Sequence, residues 1–196
     1  MPLRDLVKDP IHAPLPTPPE ALRRGPLKEG FFTSPLHDLR ITARLGRLLG
    51  ISFGICFLTG LYSHLLQHQP SWVHIPTHPA SLYRVTQGLH VISGIASVPL
   101  LIAKLWSVYP SFFSWPPARD LGHAVERASL FLLVGGSLFQ LTSGILNTAQ
   151  WYELMGFNFT RVHYWTGWVV MGALVAHIGA KVSLAKVGLS QPLDEQ

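Results

Sequence analysis

The sequence predicts an all-α fold, an integral membrane bundle of four antiparallel helices, and three observations predict it. Hydrophobic residues make up 48% of the 196 positions and charged residues only 13%, and the mean hydropathy is +0.29, a balance unusual for a water-soluble chain. Charge is segregated, with Lys, Arg, Asp and Glu crowded into the first 47 residues and the gaps between apolar runs. Four of those runs reach the ~20 residues that a bilayer crossing requires.

Residues 1–39 read as an extended, poorly packed cytoplasmic tail, because Pro10, Pro14, Pro16, Pro18 and Pro19 each remove a backbone donor and resist helix. This tail has no continuous apolar core of the kind a cleavable signal needs, so the first membrane helix is expected to direct its own insertion. The membrane domain is placed at 40–183. Its first span covers about 41–68 and is free of Asp, Glu, Lys and Arg from Leu48 to Leu66. The following link holds turn-forming prolines and the aromatics Trp72 and Tyr83, which suit a headgroup-level loop.

The second span covers about 84–109 and closes at Pro110; Pro99 inside it is tolerable where neighbouring helices satisfy the freed carbonyl. A loop over 111–120 carries the sequence WPP, the third span covers about 124–147, and the fourth about 160–182. Residues 184–196 read as a short tail. Cations flank the ends of these spans unequally. Arg40, Arg44 and Arg47 precede the first span, Lys104, Arg119 and Arg127 flank the second loop, and Lys181 and Lys186 follow the fourth. The first and third loops offer only Arg84 and Arg161. The positive-inside rule therefore places both termini in the cytoplasm.

Several chemistries are disfavoured. The pI near 9.7 comes without a cationic stripe interleaved with exposed aromatics, so no nucleic-acid partner is expected. Cys56 is the sole cysteine, which leaves no internal disulfide and no thiolate zinc or iron–sulfur framework. No phosphate loop, dinucleotide fingerprint, nucleophile elbow or zinc motif is present, and no residue qualifies as a catalytic acid or base in the usual sense. A faint repeat runs through the spans: LTGL in the first precedes LHVISG in the second, as LTSGIL in the third precedes VHYWTG in the fourth. Duplication explains it, and so does the habitual reuse of Leu, Thr and Gly in membrane helices.

Histidine is the informative residue type, since an ionisable group inside a bilayer is costly and marks function by default. His64, His90, His163 and His177 fall within spans, and His123 begins the third. His163 and His177 lie 14 positions apart on one helix, which is roughly 21 Å along the axis and within about 40° of the same face. His90, near the outer end of the second span, should match His163 in depth, as two axial imidazoles of one haem must. Gly94 and Gly167 follow these histidines by four residues and would leave room for a flat macrocycle. Arg84 and Arg161, about one turn outward, are suited to haem propionates. Trp165 and Trp168 lie close enough to wall a haem, and lipid contact accounts for them equally well. His64 suits a quinone or proton site, a headgroup-level position, or a replacement ligand at the outer haem.

These residues resemble the bacterial di-haem cytochrome b superfamily, which includes the gamma subunits of membrane formate dehydrogenases and hydrogenases. The resemblance spans roughly Arg40 to Val182. It is strongest in LYRVTQGLHVISGIASVPLLIAKLWSVYP and VHYWTGWVVMGALVAHIGAKV, which look closest to the cytochrome b part of actinobacterial proteins fused to a sulfite-oxidase-like molybdopterin domain. It implies two haems b, the outer one ligated by His90 and His163 and the inner one by His177, with a single haem as the alternative. The family's first helix carries a further histidine where this chain has Gly46 and Arg47. His123 is the preferred substitute as inner ligand, with His37 and Lys104 behind it.

The function expected from this reading is electron transfer in a bacterial cytoplasmic membrane, between the quinone pool and a redox partner subunit or soluble carrier of the molybdopterin oxidoreductase class. A haem-free membrane anchor or assembly subunit is the alternative. A small proton-coupled transporter is the third reading, disfavoured by the lack of a midplane carboxylate or broken helix.

Overall fold

The computed structural model describes residues 17–28, 30–75, 78–116 and 119–193. Among these the chain is helical with no strand: a single turn α1 (Glu20–Arg23), then α2 (Leu39–Gln67), α3 (Ser81–Phe112), α4 (Leu121–Thr148) and α5 (Phe159–Ser190). The last four are each long and apolar enough to cross a membrane. Short side-chain caps start three of them. Asp38 accepts from the N–H of Arg40, Asp120 from that of His123, and Asn158 from that of Arg161, each satisfying a donor that a helix start leaves unpaired. The Asp38 carboxylate also takes the Arg40 guanidinium at 2.8 Å, and this pairing holds its pKa at about 2.

Many residues inside the bundle are small and weakly polar, while most large hydrophobics of the helices point outward. Ser52, Ser93, Ser97, Ser137 and Ala173 are buried, whereas Leu58, Ile92 and Val175 are each about two-thirds exposed, at 66%, 67% and 66%. This partition suits helices whose outer surface meets lipid, because close approach inside a membrane relies on small side chains and short hydrogen bonds. Ser97 donates to Ser52 Oγ at 2.9 Å and Ser52 donates to the Ser93 carbonyl at 2.8 Å, sewing α2 to α3. α2 with α3 and α4 with α5 form the two most extensive pairings; α2 closes on α5, and α3 touches α4 least. The molecule is thus two helical hairpins. Leu49, Phe53, Leu101, Leu133, Val170 and Ala173 form the apolar core between them.

Helix ends depart from expectation in two places. α3 continues to Phe112, whose carbonyl accepts from the Arg127 guanidinium at 2.7 Å. α5 runs to Ser190 rather than 182, because the start of α2 caps it: Arg44 donates to the Gln191 carbonyl and Arg40 to that of Pro192. Gly188 permits this crossing, since a Cβ there would lie 2.8 Å from the Leu39 carbonyl oxygen and 2.8 Å from Ala43 Cβ. Residues 1–16 of the expected tail, with His12, lie outside the described residues. Of the described residues before α2, Phe32 and His37 pack on Trp106, and the Trp106 indole donates to Ser34 at 3.2 Å.

Candidate functional site

A cavity of about 820 Å³ opens between the hairpins, in the half of the bundle away from the termini, and all four long helices line it. Its size lies within the ~300–1,000 Å³ typical of small-molecule sites. His64, His90 and His163 all reach its wall, as do Gly94, Gly167 and Trp168. A second depression of about 310 Å³ between Leu48 and Leu100 faces outward and has no titratable residue in its lining.

His90 on α3 and His163 on α5 meet across the cavity with ring centroids 6.2 Å apart. An imidazole nitrogen sits about 2 Å from a transition-metal ion, so two rings on opposite sides of one ion have centroids on the order of 6 Å apart. Each ring is held by its other nitrogen. His90 Nδ1 donates to the Cys56 carbonyl at 2.9 Å and lies 3.3 Å from Thr59 Oγ1, whose own proton goes to the Ile55 carbonyl. His163 Nδ1 lies 3.3 Å from Ser143 Oγ, which is also 3.3 Å from the Gln140 carbonyl. The carbonyl partner assigns His90 Nδ1 as an N–H donor. That tautomer leaves the Nε2 lone pair of a neutral His90 ring available to a metal, and His163 presents the same one when its Nδ1 donates to Ser143.

The two histidines occupy equivalent surroundings, and the faint repeat in the sequence marks the residues responsible. Thr59 and Gly60 of LTGL serve His90; Ser143 and Gly144 of LTSGIL serve His163. A Cβ on Gly60 would stand 3.1 Å from His90 Cε1, and one on Gly144 would stand 3.7 Å from His163 Cε1. One turn earlier, Cys56 donates weakly to the His90 carbonyl at 3.5 Å and packs on Gly94, while Gln140 donates to the His163 carbonyl at 2.8 Å and packs on Gly167. Gly94 and Gly167 therefore admit Cys56 and Gln140, and the glycines that abut the imidazoles are Gly60 and Gly144. Sequence reading passed over these last two, although the repeat contained them.

His64 stands at the cavity wall in a stack, 4.6 Å from the His68 ring and 3.8 Å from that of Tyr164. Trp168 lines the cavity and packs edge-on against Phe57, whereas Trp165 is 64% exposed and does not line it. Arg84 and Arg161 are exposed and also outside the lining, next to the lining residues Tyr83 and Thr160. The polar part of the wall is instead uncharged and includes Gln67, Gln87, Gln140, Asn147 and Thr148. Two buried atoms in this wall, Ser137 Oγ and Gln140 Oε1, have no hydrogen-bond partner.

The histidines nearer the termini do not assemble in this way. His177 Nδ1 is buried without a partner, and Lys104, Lys181 and Glu126 are its charged neighbours. His123 Nδ1 accepts from the Arg119 N–H at 3.2 Å. Because Glu126 pairs with Lys181 at 2.5 Å, His123 lies about 10 Å closer to the terminal end than the level of His177, at 1.5 Å per residue. His37 Nε2 is buried against Trp106 without a partner. Among the described residues no group of three or more His, Cys, Asp or Glu is placed to hold a bare metal ion, so metal at the paired histidines would have to bring its own equatorial ligands. Compared with protein-family models, curated proteins and solved structures, the chain matches none.

Proposed function

We propose that the chain is a membrane cytochrome b subunit that binds haem b between His90 and His163 and passes electrons between the quinone pool and a redox partner. The observation that carries this reading is the pair of imidazoles, each hydrogen-bonded through Nδ1 to a neighbouring helix, that meet across one cavity with ring centroids 6.2 Å apart. The four long helices are taken as an antiparallel bundle in a bacterial cytoplasmic membrane. Its termini are on the cytoplasmic side, where the excess of Lys and Arg favours them. Resemblance makes a molybdopterin oxidoreductase the preferred partner.

Haem bound there supplies reversible one-electron chemistry at iron. The chain's own residues do the remainder. His90 and His163 supply Nε2; the Cys56 carbonyl with Thr59, and Ser143 opposite, orient the rings and raise their basicity through Nδ1. Gly60 keeps the approach to the His90 ring clear. Phe53, Val170 and Leu141 close the cavity floor with apolar surface and keep water out. Arg84 and Arg161, one residue from the lining, are positioned to turn toward propionates. His64 is assigned to the quinone, where an imidazole donates to a carbonyl or accepts its proton.

Visible spectra of the full chain purified after haem-replete expression test this directly. Dithionite reduction is expected to sharpen a Soret band and an α-band, and His90→Ala and His163→Ala should each abolish the same signal. A colourless wild-type protein would reject the redox reading in favour of a haem-free anchor. Two variants with unchanged haem content and potential would reject the pairing.

A further inference from the structure

The inner end of the bundle repeats the candidate haem layer at a displacement of 14 residues, with its ligand and its space replaced. Fourteen residues are about four turns, roughly 21 Å along a helix and within 40° of the same face. Moved by that step toward the termini, Gly60 becomes Gly46, His90 becomes Lys104 and His163 becomes His177. The contacts move with the residues. His90 Nδ1 donates to the Cys56 carbonyl at 2.9 Å, and Lys104 Nζ donates to the Thr42 carbonyl, 14 residues before Cys56, at 2.9 Å. A Cβ on Gly60 would meet His90 at 3.1 Å, and one on Gly46 would meet Lys104 Nζ at 3.4 Å. On the other hairpin Gln140 packs on Gly167, and the same step gives Glu126 paired with Lys181.

What differs is room and coordination. Of the glycines at 60, 94, 144 and 167, only the first recurs; the other three positions become Val108, Leu130 and Lys181. Leu49, Leu101, Leu133 and Ala173 pack together directly beneath the cavity floor, with Leu105 and Leu174 against them. Lys104 Nζ is committed to the Thr42 carbonyl at 2.9 Å, and while protonated it has three donors and no lone pair for a metal. His177 is left without the hydroxyl contact that Ser143 makes to His163.

We infer that the chain holds one haem, in the layer of His90 and His163, and that the inner layer is a closed copy in which Lys104 stands for the ligand and packed side chains for the macrocycle. This rests on the proposed cytochrome reading and narrows it: electrons enter and leave at the end of the bundle away from the termini. The core of Leu49, Leu101 and Leu133 and the Glu126–Lys181 ion pair lie in the remaining half.

The test is haem stoichiometry of the full chain by pyridine haemochrome against protein mass, with His177→Ala and Lys104→Met beside the wild type. One haem per chain is expected, and both variants should retain the wild-type reduced-minus-oxidised spectrum. Two haems in the wild type, or loss of haem absorbance in folded His177→Ala or Lys104→Met protein, would overturn the inference while leaving the cytochrome reading intact. No haem in the wild type would overturn that reading, and the inference with it.

Discussion

The two glycines beside the imidazoles differ in how much space they spare, and this makes residue-scale chemistry separable from loss of fold. At Gly60 an added methyl would stand 3.1 Å from the His90 ring, too close for its neighbour to stay in place, while at Gly144 the distance of 3.7 Å is ordinary contact. The His90 ring cannot retreat freely, because its Nδ1 is tied to the Cys56 carbonyl. Gly60→Ala should therefore break that hydrogen bond or tilt the ring. The expected outcome is a fall in haem affinity of roughly 10–100-fold, the size seen when partners of a metal-bound histidine are disturbed. Gly144→Ala should bind haem as the wild type does. Haem titration of the two apo-variants by Soret absorbance checks this; equal affinities would mean that Gly60 does not set the His90 ring.

Helix starts carry a second handle, outside the membrane spans. Asp38 caps α2 and clasps Arg40, and the Arg40 guanidinium keeps its carboxyl at about 2, below the ~3.9 of an unfolded chain. A carboxyl whose folded pKa is depressed stabilises the fold above the unfolded value and ceases to do so as pH falls through the folded one. The window therefore runs from about pH 4 down to about pH 2. Asp38→Asn keeps an oxygen for the cap but has nothing to titrate. The gap in melting temperature between wild type and Asp38→Asn in detergent should be constant above about pH 4 and shrink toward about pH 2. A gap unchanged across that interval would detach Asp38 from acid stability. Elements are also where sequence reading met its limit. Four spans were legible because a hydrocarbon-length apolar run has few other uses, and His90 and His163 were legible because their depths matched. The end of α5 was not, since its last turns are fixed by Arg40, Arg44 and Gly188 across a helix crossing. Nor were the partners of the imidazoles, which come from α2 and α4; only the repeated LTG and LTSG hinted at Thr59, Gly60, Ser143 and Gly144.

At the scale of the whole molecule, the decisive fact is that the two imidazoles come from different hairpins. His90 belongs to the α2–α3 pair and His163 to the α4–α5 pair, and between the pairs α3 and α4 make the slightest contact of any adjacent helices. The interior at this level is a cavity, so the packing that unites the hairpins lies mainly in the core toward the termini and in the contact of α2 with α5. A ligand bound through both rings would bridge the part of the bundle that is least joined. Binding to the folded state alone raises stability by an amount set by occupancy, about 4 kcal/mol when ligand exceeds its dissociation constant a thousandfold. Haem should thus raise the thermal midpoint of the wild type, followed by circular dichroism in detergent, and should leave His90→Ala and His163→Ala unchanged because one imidazole cannot tie both hairpins. Equal stabilisation of all three proteins would place haem on one hairpin or on the surface, and the cavity between the pairs would then need another occupant.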